Sequence, residues 1–207
     1  YHHEVIGDMA DLHSITRDDL YNHYRTFYVP NNAVMAVAGD FDTKSMLARI
    51  KELFGSIPAG KKPARLTRPE PEQQGEMRLS VEGPGETTYI QVAYRFPNAS
   101  HPDFFPLAVL DSLLAGPSNL NMFGGGISNK TSRLYRALVD KEYAVSISGG
   151  SAATIDPFLY TFTLTVHPRR KPEATLAALD AEIQKVQDKL VSKDEVVRAI
   201  KQARAIF

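Results

Sequence analysis

The sequence predicts an α+β domain with a mixed or antiparallel sheet packed against helices. Apolar residues recur at helical spacing in several segments, the clearest of which are residues 16–28, 43–54, 104–114 and 172–190. Short runs rich in β-branched and aromatic residues lie at 88–96, 143–148 and 158–167. Turn residues such as Gly149-Gly150 separate the last two runs, and no helix stands between them. This order favours hairpins over regular strand–helix–strand alternation.

Capping signals predict the beginning of two helices and the end of a third. Thr16 precedes two acidic residues and is expected to cap a helix, and Ser192 with Glu195 has the spacing of a capping box. Gly55 is expected to end the helix of residues 43–54. Two further strands are predicted. The all-apolar run of residues 33–38 is typical of a strand buried on both faces, and residues 77–81 alternate apolar and polar side chains.

Composition divides the chain and excludes several function classes. Residues 58–75 are rich in proline, glycine and charge and predict a linker between residues 1–57 and residues 76–207. The 207 residues contain 24 basic and 24 acidic side chains, so no global field favours nucleic acid. No apolar run approaches the roughly 18 residues that span a bilayer. The absence of cysteine excludes disulfides and thiolate metal sites.

No catalytic residue and no metal ligand is predicted in this chain. Neither H-E-x-x-H nor H-x-x-E-H occurs, and the neighbours His2, His3 and Glu4 point in different directions on any regular backbone. Residues 124–131, GGGISNKT, resemble a phosphate loop, but Asn129 replaces its second glycine. The preceding element is a predicted helix, whereas a phosphate loop follows a buried strand. A loop without nucleotide is therefore the better interpretation.

Four segments together resemble the pitrilysin, insulysin and mitochondrial processing peptidase family of inverted-motif zinc metallopeptidases. They are residues 11–20 (DLHSITRDDL), 28–34 (YVPNNAV), 38–42 (AGDFD) and 132–139 (SRLYRALV). The order and spacing of the segments are more specific than any one of them. The resemblance extends over nearly the whole chain and implies the fold of one of the family's duplicated halves.

The resemblance implies a zinc endopeptidase as the full-length parent, in which a zinc-bound water attacks a peptide carbonyl. The H-x-x-E-H motif would lie upstream of Tyr1. Residues 1–57 would then be the helix–strand–helix tail of the zinc-bearing half. Residues 76–207 would be most of the second, inactive half, which closes a chamber over the peptide substrate. The sequence does not identify the cellular compartment, and the resemblance slightly favours the bacterial periplasm over the cytoplasm.

The resemblance also suggests substrate-contact candidates. Gly124, Gly125 and Gly126 are expected to line the peptide chamber. Arg136 and Tyr143 have the seven-residue spacing of an Arg and a Tyr that contact substrate in some family members. An alignment without gaps, however, places those two family positions at Val139 and Ser146. The pair is therefore expected to be absent, and a sister subunit of the same family is expected to supply it.

Two other functions stay open at the level of sequence. A subunit of the same fold that lacks the zinc motif could serve as a non-catalytic scaffold, and an unrelated peptide-binding α+β domain would have no homologous second half. The resemblance also implies that each half of the family ends with a segment like residues 16–55, and the copy of that segment that belongs to the second half is expected to lie beyond Phe207. We therefore expect residues 33–38 to fill a vacant sheet edge, within one chain or by exchange between two chains.

Overall fold

The computed structural model describes residues 6–64, 71–118, 120 and 130–205. The chain divides into two compact units, Tyr1–Arg78 and Leu79–Phe207. Their boundary lies shortly after the predicted linker of residues 58–75.

The first unit is helical where the sequence predicts helices. It contains α1 (Met9–Ser14), α2 (Arg17–Phe27), a 3-10 turn (Pro30–Asn32) and α3 (Thr43–Phe54). Thr16 caps α2 as predicted, because the backbone N–H of Asp19 donates to its hydroxyl and its own N–H donates to the Asp19 carboxylate at 2.9 Å. Asp42 caps α3 by accepting from the N–H of Ser45 at 2.9 Å.

The 3-10 turn also fixes the beginning of the predicted linker. The side-chain amide of Asn31 donates to the carbonyl of Gly60 at 3.0 Å, and the N–H of Gly60 donates back to Asn31 Oδ1 at 3.0 Å. Residues 58–60 are therefore held in place by unit 1 itself.

Two predicted strands are absent from the described structure. Residues 33–38 and 77–81 belong to no sheet, and Val34 and Met77 are 100% and 91% exposed. A buried strand needs hydrogen-bonded neighbours on both sides. Among the described residues the sheet contains three other strands only, so the prediction that residues 33–38 fill a vacant edge within the same chain is wrong.

The second unit is built on an antiparallel three-stranded sheet. Its strands are β1 (Tyr89–Phe96), β2 (Ala144–Gly150) and β3 (Phe158–Val166), in the spatial order β1-β3-β2. Phe162 in the central strand stands opposite Val92 on one side and Gly149 on the other. A register shift between Ala144 and Ser146 marks a bulge near the start of β2.

Three helices and a π-helical segment complete this unit. They are α4 (Phe104–Leu114), the π-helical segment Tyr135–Val139, α5 (Pro172–Asp188) and α6 (Lys193–Arg204). The Ser112 hydroxyl of α4 donates to the Ala199 carbonyl of α6 at 3.0 Å inside the core. The large apolar side chains with least exposure come from both the helices and the sheet: Phe104, Leu134, Leu138, Phe162, Leu164 and Leu179. The α+β class is therefore confirmed.

Candidate functional site

A buried carboxylate lies between α4 and the sheet. Asp111 is 3% exposed and accepts two hydrogen bonds, from the Tyr160 hydroxyl of β3 at 2.6 Å and from the Ser118 hydroxyl at 2.8 Å. Burial raises the pKa of Asp111, although the bonds from Tyr160 and Ser118 act in the opposite direction. Burial and the adjacent Asp111 charge also raise the pKa of Tyr160, so its hydroxyl remains a donor.

Two glycines of β2 allow the sheet to approach this network closely. A Cβ atom added at Gly149 would lie 2.7 Å from the Cβ of Ala115 and would also strike the Tyr160 hydroxyl. One added at Gly150 would lie 3.3 Å from the Cβ of Ser118. Both carboxylate oxygens of Asp111 are engaged by hydroxyls. The network therefore anchors the chain that leaves α4 and presents no free oxygen to a ligand.

A second polar cluster joins the segment before Tyr135 to α5 and α6. The Arg133 guanidinium contacts Glu195 at 2.9 Å and lies 3.8 Å from Glu182, which in turn pairs with Lys185 at 2.6 Å. Burial raises the pKa of Glu195, but hydrogen bonds from Ser192 and the neighbouring Arg133 outweigh it and hold that pKa below its usual value. Glu195 is therefore ionised and fully engaged at neutral pH.

A small cleft of about 70 Å³ adjoins this cluster. Its polar lining includes three arginines and a single acidic residue, Glu195. Arg136 and Arg198 are exposed, and within the part of the chain that the structure describes neither has an acidic partner.

The structure places the predicted pair Arg136 and Tyr143 in different surroundings. Arg136 lines the cleft, whereas Tyr143 does not. The Tyr143 ring lies under the Arg170 guanidinium, 4.6 Å from ring centroid to carbon, and its carbonyl accepts from the Thr175 hydroxyl at 2.8 Å. Tyr143 thus packs the junction of β2 with α5.

The positions given by the alignment without gaps carry neither an arginine nor a tyrosine. Val139 packs against the core, and the Ser146 hydroxyl donates to the Thr165 hydroxyl at 3.0 Å across β2 and β3. Gly124, Gly125 and Gly126 lie outside the described residues, as do His2, His3 and Glu4.

Sequence reasoning missed Asp111, Tyr160 and Arg198. Asp111 carried a usable signal, because it is the one charged residue in the mostly apolar helix FFPLAVLDSLL. A charge in such a helix is buried only if it has partners. Arg198 carried none, since its position beside Arg136 depends on how α6 packs.

The described residues offer no group of side chains that fits zinc. Across residues 6–64, 71–118, 120 and 130–205, no three His, Cys, Asp or Glu side chains are grouped so that they could hold a metal ion. Within the same ranges, no helix is long and apolar enough to cross a membrane.

These features define an α+β domain without a metal-ligand cluster in its described residues. The family model described as "Peptidase M16 inactive domain" matches residues 14–203. The chain belongs to this family, and the resemblance to zinc metallopeptidases of the processing-peptidase kind is confirmed.

Curated relatives are zinc proteases and processing peptidases. The chain is 28% identical over 203 residues to zinc protease PqqE of Helicobacter pylori, covering 96% of this chain and 42% of that protein. It is 26% identical over 161 residues to mitochondrial-processing peptidase subunit beta of Lentinula edodes, covering 75% of this chain and 34% of that one. The chain therefore spans less than half the length of these relatives.

Solved structures share the fold. The chain matches a protease from Helicobacter pylori with a TM-score of 0.82 at 24% identity, covering 97% of this chain and 46% of that one. It matches a peptidase M16 inactive domain from Pseudomonas fluorescens with a TM-score of 0.79 at 18% identity, covering 99% and 46%. At these identities the likeness concerns the fold alone.

Proposed function

We propose that this chain is the non-metal-binding part of a zinc endopeptidase, and that its second unit closes a chamber over a peptide and helps to bind it. The observation that carries the proposal is the match of the inactive-domain family to residues 14–203. The names of the relatives support the peptidase class. Because the described residues offer no ligand cluster, the zinc would be held elsewhere in the full-length protein.

Residues 1–57 belong, in this proposal, to the zinc-bearing half. The support is an apolar surface that the described residues of the unit leave partly exposed. Leu20, Tyr24 and Phe27 share one face of α2, yet each is exposed, and no residue of α1, α2 or α3 is buried. Such a surface is expected where a helix packs against another part of a protein.

A sister subunit supplies the Arg and Tyr substrate contacts in this proposal. Val139 and Ser146 occupy the aligned positions, and Tyr143 is engaged in packing with Arg170. Native mass measurement of the full-length protein, alone and mixed with a candidate sister chain, tests this part. A hetero-complex that gains peptidase activity supports it, and full activity of one chain alone contradicts it.

The peptidase activity is tested with the full-length protein and a quenched fluorogenic peptide. We expect turnover with zinc, loss of turnover with a chelator and recovery on adding zinc back. The 207-residue chain by itself should show none. A full-length protein that assembles stably with a partner but cleaves no peptide, with or without zinc, would identify a scaffold subunit instead.

Substrate contact by the second unit is tested by cross-linking. A peptide with a photoreactive side chain is bound to the chelated full-length protein, which cannot turn it over, and the adducts are mapped by mass spectrometry. Adducts within residues 79–207 support the chamber role. Adducts confined to residues outside this chain contradict it.

A further inference from the structure

The cleft between the π-helical segment and α6 has an excess of positive charge. Arg133, Arg136 and Arg198 line it, against the single acid Glu195. Arg198 and Gln202 follow Glu195 by three and seven positions on α6, so the three side chains share one face of that helix. Arg136 faces them from the π-helical segment. The arrangement joins two elements that are distant in sequence.

Glu195 is not available to neutralise the other two arginines. Its Oε1 accepts from Arg133 Nε at 3.0 Å and pairs with Arg133 Nη2 at 2.9 Å. Its Oε2 accepts from the Ser192 N–H at 3.2 Å and from the Ser192 hydroxyl at 2.9 Å. All the strong acceptor capacity of this carboxylate is therefore used, and Arg136 and Arg198 remain without an anion among the described residues.

We propose that this cleft binds a carboxylate group of a peptide, either its C-terminal carboxylate or an Asp or Glu side chain. This inference rests on the proposed peptide-handling function. Guanidinium groups bind carboxylates with paired, charge-assisted hydrogen bonds. The cleft volume of about 70 Å³ exceeds the roughly 30 Å³ share of one water molecule. It therefore offers room for a carboxylate group.

Binding is measured by the fluorescence anisotropy of labelled peptides on the chelated full-length protein. Three peptides share one sequence: a C-terminal acid without acidic side chains, the corresponding amide, and the amide with one internal Glu. We expect at least one carboxylate form to bind about fivefold more tightly than the plain amide, the scale of one or two partly exposed ion pairs. The form that binds more tightly than the plain amide shows whether the ligand is the terminal or the side-chain carboxylate.

Variants then localise the effect. Arg136→Gln and Arg198→Gln should each reduce the preference for the carboxylate form about threefold or more. Arg204→Gln is the matched control, because it removes the same charge from the same helix at an exposed residue outside the cleft lining. It should leave the preference unchanged. Inorganic phosphate should displace the carboxylate peptide and leave the plain amide bound.

Equal affinity for all three peptides overturns the inference, and so does a preference that survives both cleft variants. Circular dichroism of the variants checks that the fold is kept. Turnover of the zinc-loaded protein is measured separately. A carboxylate preference without turnover supports carboxylate binding by the cleft and refutes the proposed peptidase activity. Turnover without a carboxylate preference supports the peptidase activity and refutes carboxylate binding by the cleft.

Discussion

Replacing Tyr160 by Phe removes one of the two hydroxyls that bind the Asp111 carboxylate. The Tyr160 ring lies in the core between Phe96 and Phe162, and Phe keeps these aromatic contacts. The variant therefore loses the 2.6 Å hydrogen bond with little change in packing. Because the acceptor is a buried carboxyl group, we expect the free energy of unfolding to fall by about 2 kcal/mol at a pH where Asp111 is ionised. The corresponding loss in Tm is about 4–8 °C for a chain of this size.

The pH dependence follows from the raised pKa of Asp111. A carboxyl whose pKa is raised by folding contributes stability that is fully present below its unfolded pKa of about 3.9 and is lost as the pH rises through its folded pKa. Removing the Tyr160 donor raises the folded pKa of Asp111 further. The loss of unfolding free energy caused by Tyr160→Phe is therefore largest above the folded pKa of Asp111, where its carboxyl group is ionised. It should shrink to about 1 kcal/mol, the value of a bond between neutral groups, as the pH falls through that pKa.

Urea unfolding followed by far-ultraviolet circular dichroism measures both effects at several pH values. Tyr89→Phe is the control, because Tyr89 lies in β1 with 69% of its surface exposed and its hydroxyl should contribute less than about 0.5 kcal/mol. A loss of stability that is the same for the two variants, or one that grows as the pH falls, would refute the role of Asp111 as the buried acceptor of the Tyr160 hydrogen bond.

Two further substitutions test the second unit. Gly149→Ala should lower the free energy of unfolding by about 1–3 kcal/mol, because the added Cβ would lie 2.7 Å from the Cβ of Ala115. Gly83→Ala is the control, because Gly83 has open space around it, and its stability should be close to that of the unmodified protein. Equal melting temperatures for the two variants would contradict the packing argument. Ser192→Ala removes the capping box of α6 and should cost about 1 kcal/mol. Since the pKa of Glu195 is lowered, the stability that depends on its charge is present above its unfolded pKa and is lost as the pH falls. The cost should therefore decrease in acid, and a cost independent of pH would exclude a role for the Glu195 charge.

The α-helices other than α1 could be predicted from local sequence because their signals are local. Thr16 and Ser192 cap α2 and α6 through residues three positions away, and the apolar spacing of α3 is contained within its own twelve residues. The strand prediction for residues 33–38 failed for a related reason. Apolar composition indicates that a segment suits the interior of a sheet, but the ladder depends on partners that the segment does not specify.

The candidate site was less predictable than the fold. Arg136 was identified by its spacing from Tyr143, yet the structure separates their roles: Arg136 lines a cleft and Tyr143 packs against Arg170. The residue that does accompany Arg136 is Arg198, which lies 62 positions along the chain. Such a pairing arises from the tertiary packing that places α6 against α4, and no pattern within a single sequence encodes it.

The two units differ in whether their apolar patterns are satisfied, and this difference supports assigning them to different halves of a larger protein. In the second unit α4 alone buries Phe104, Leu113 and Leu114, and each such side chain contributes about 1.5–3 kcal/mol. In the first unit most of the comparable side chains of α2 and α3 remain exposed, although Met46 and Ile50 are half-buried, while ordering each residue still costs about 1–2 kcal/mol. Less apolar burial is therefore available within the described part of the first unit to offset that cost. Its amphipathic helices are therefore expected to gain their stability from a surface outside this unit, as the proposed zinc-bearing half would provide.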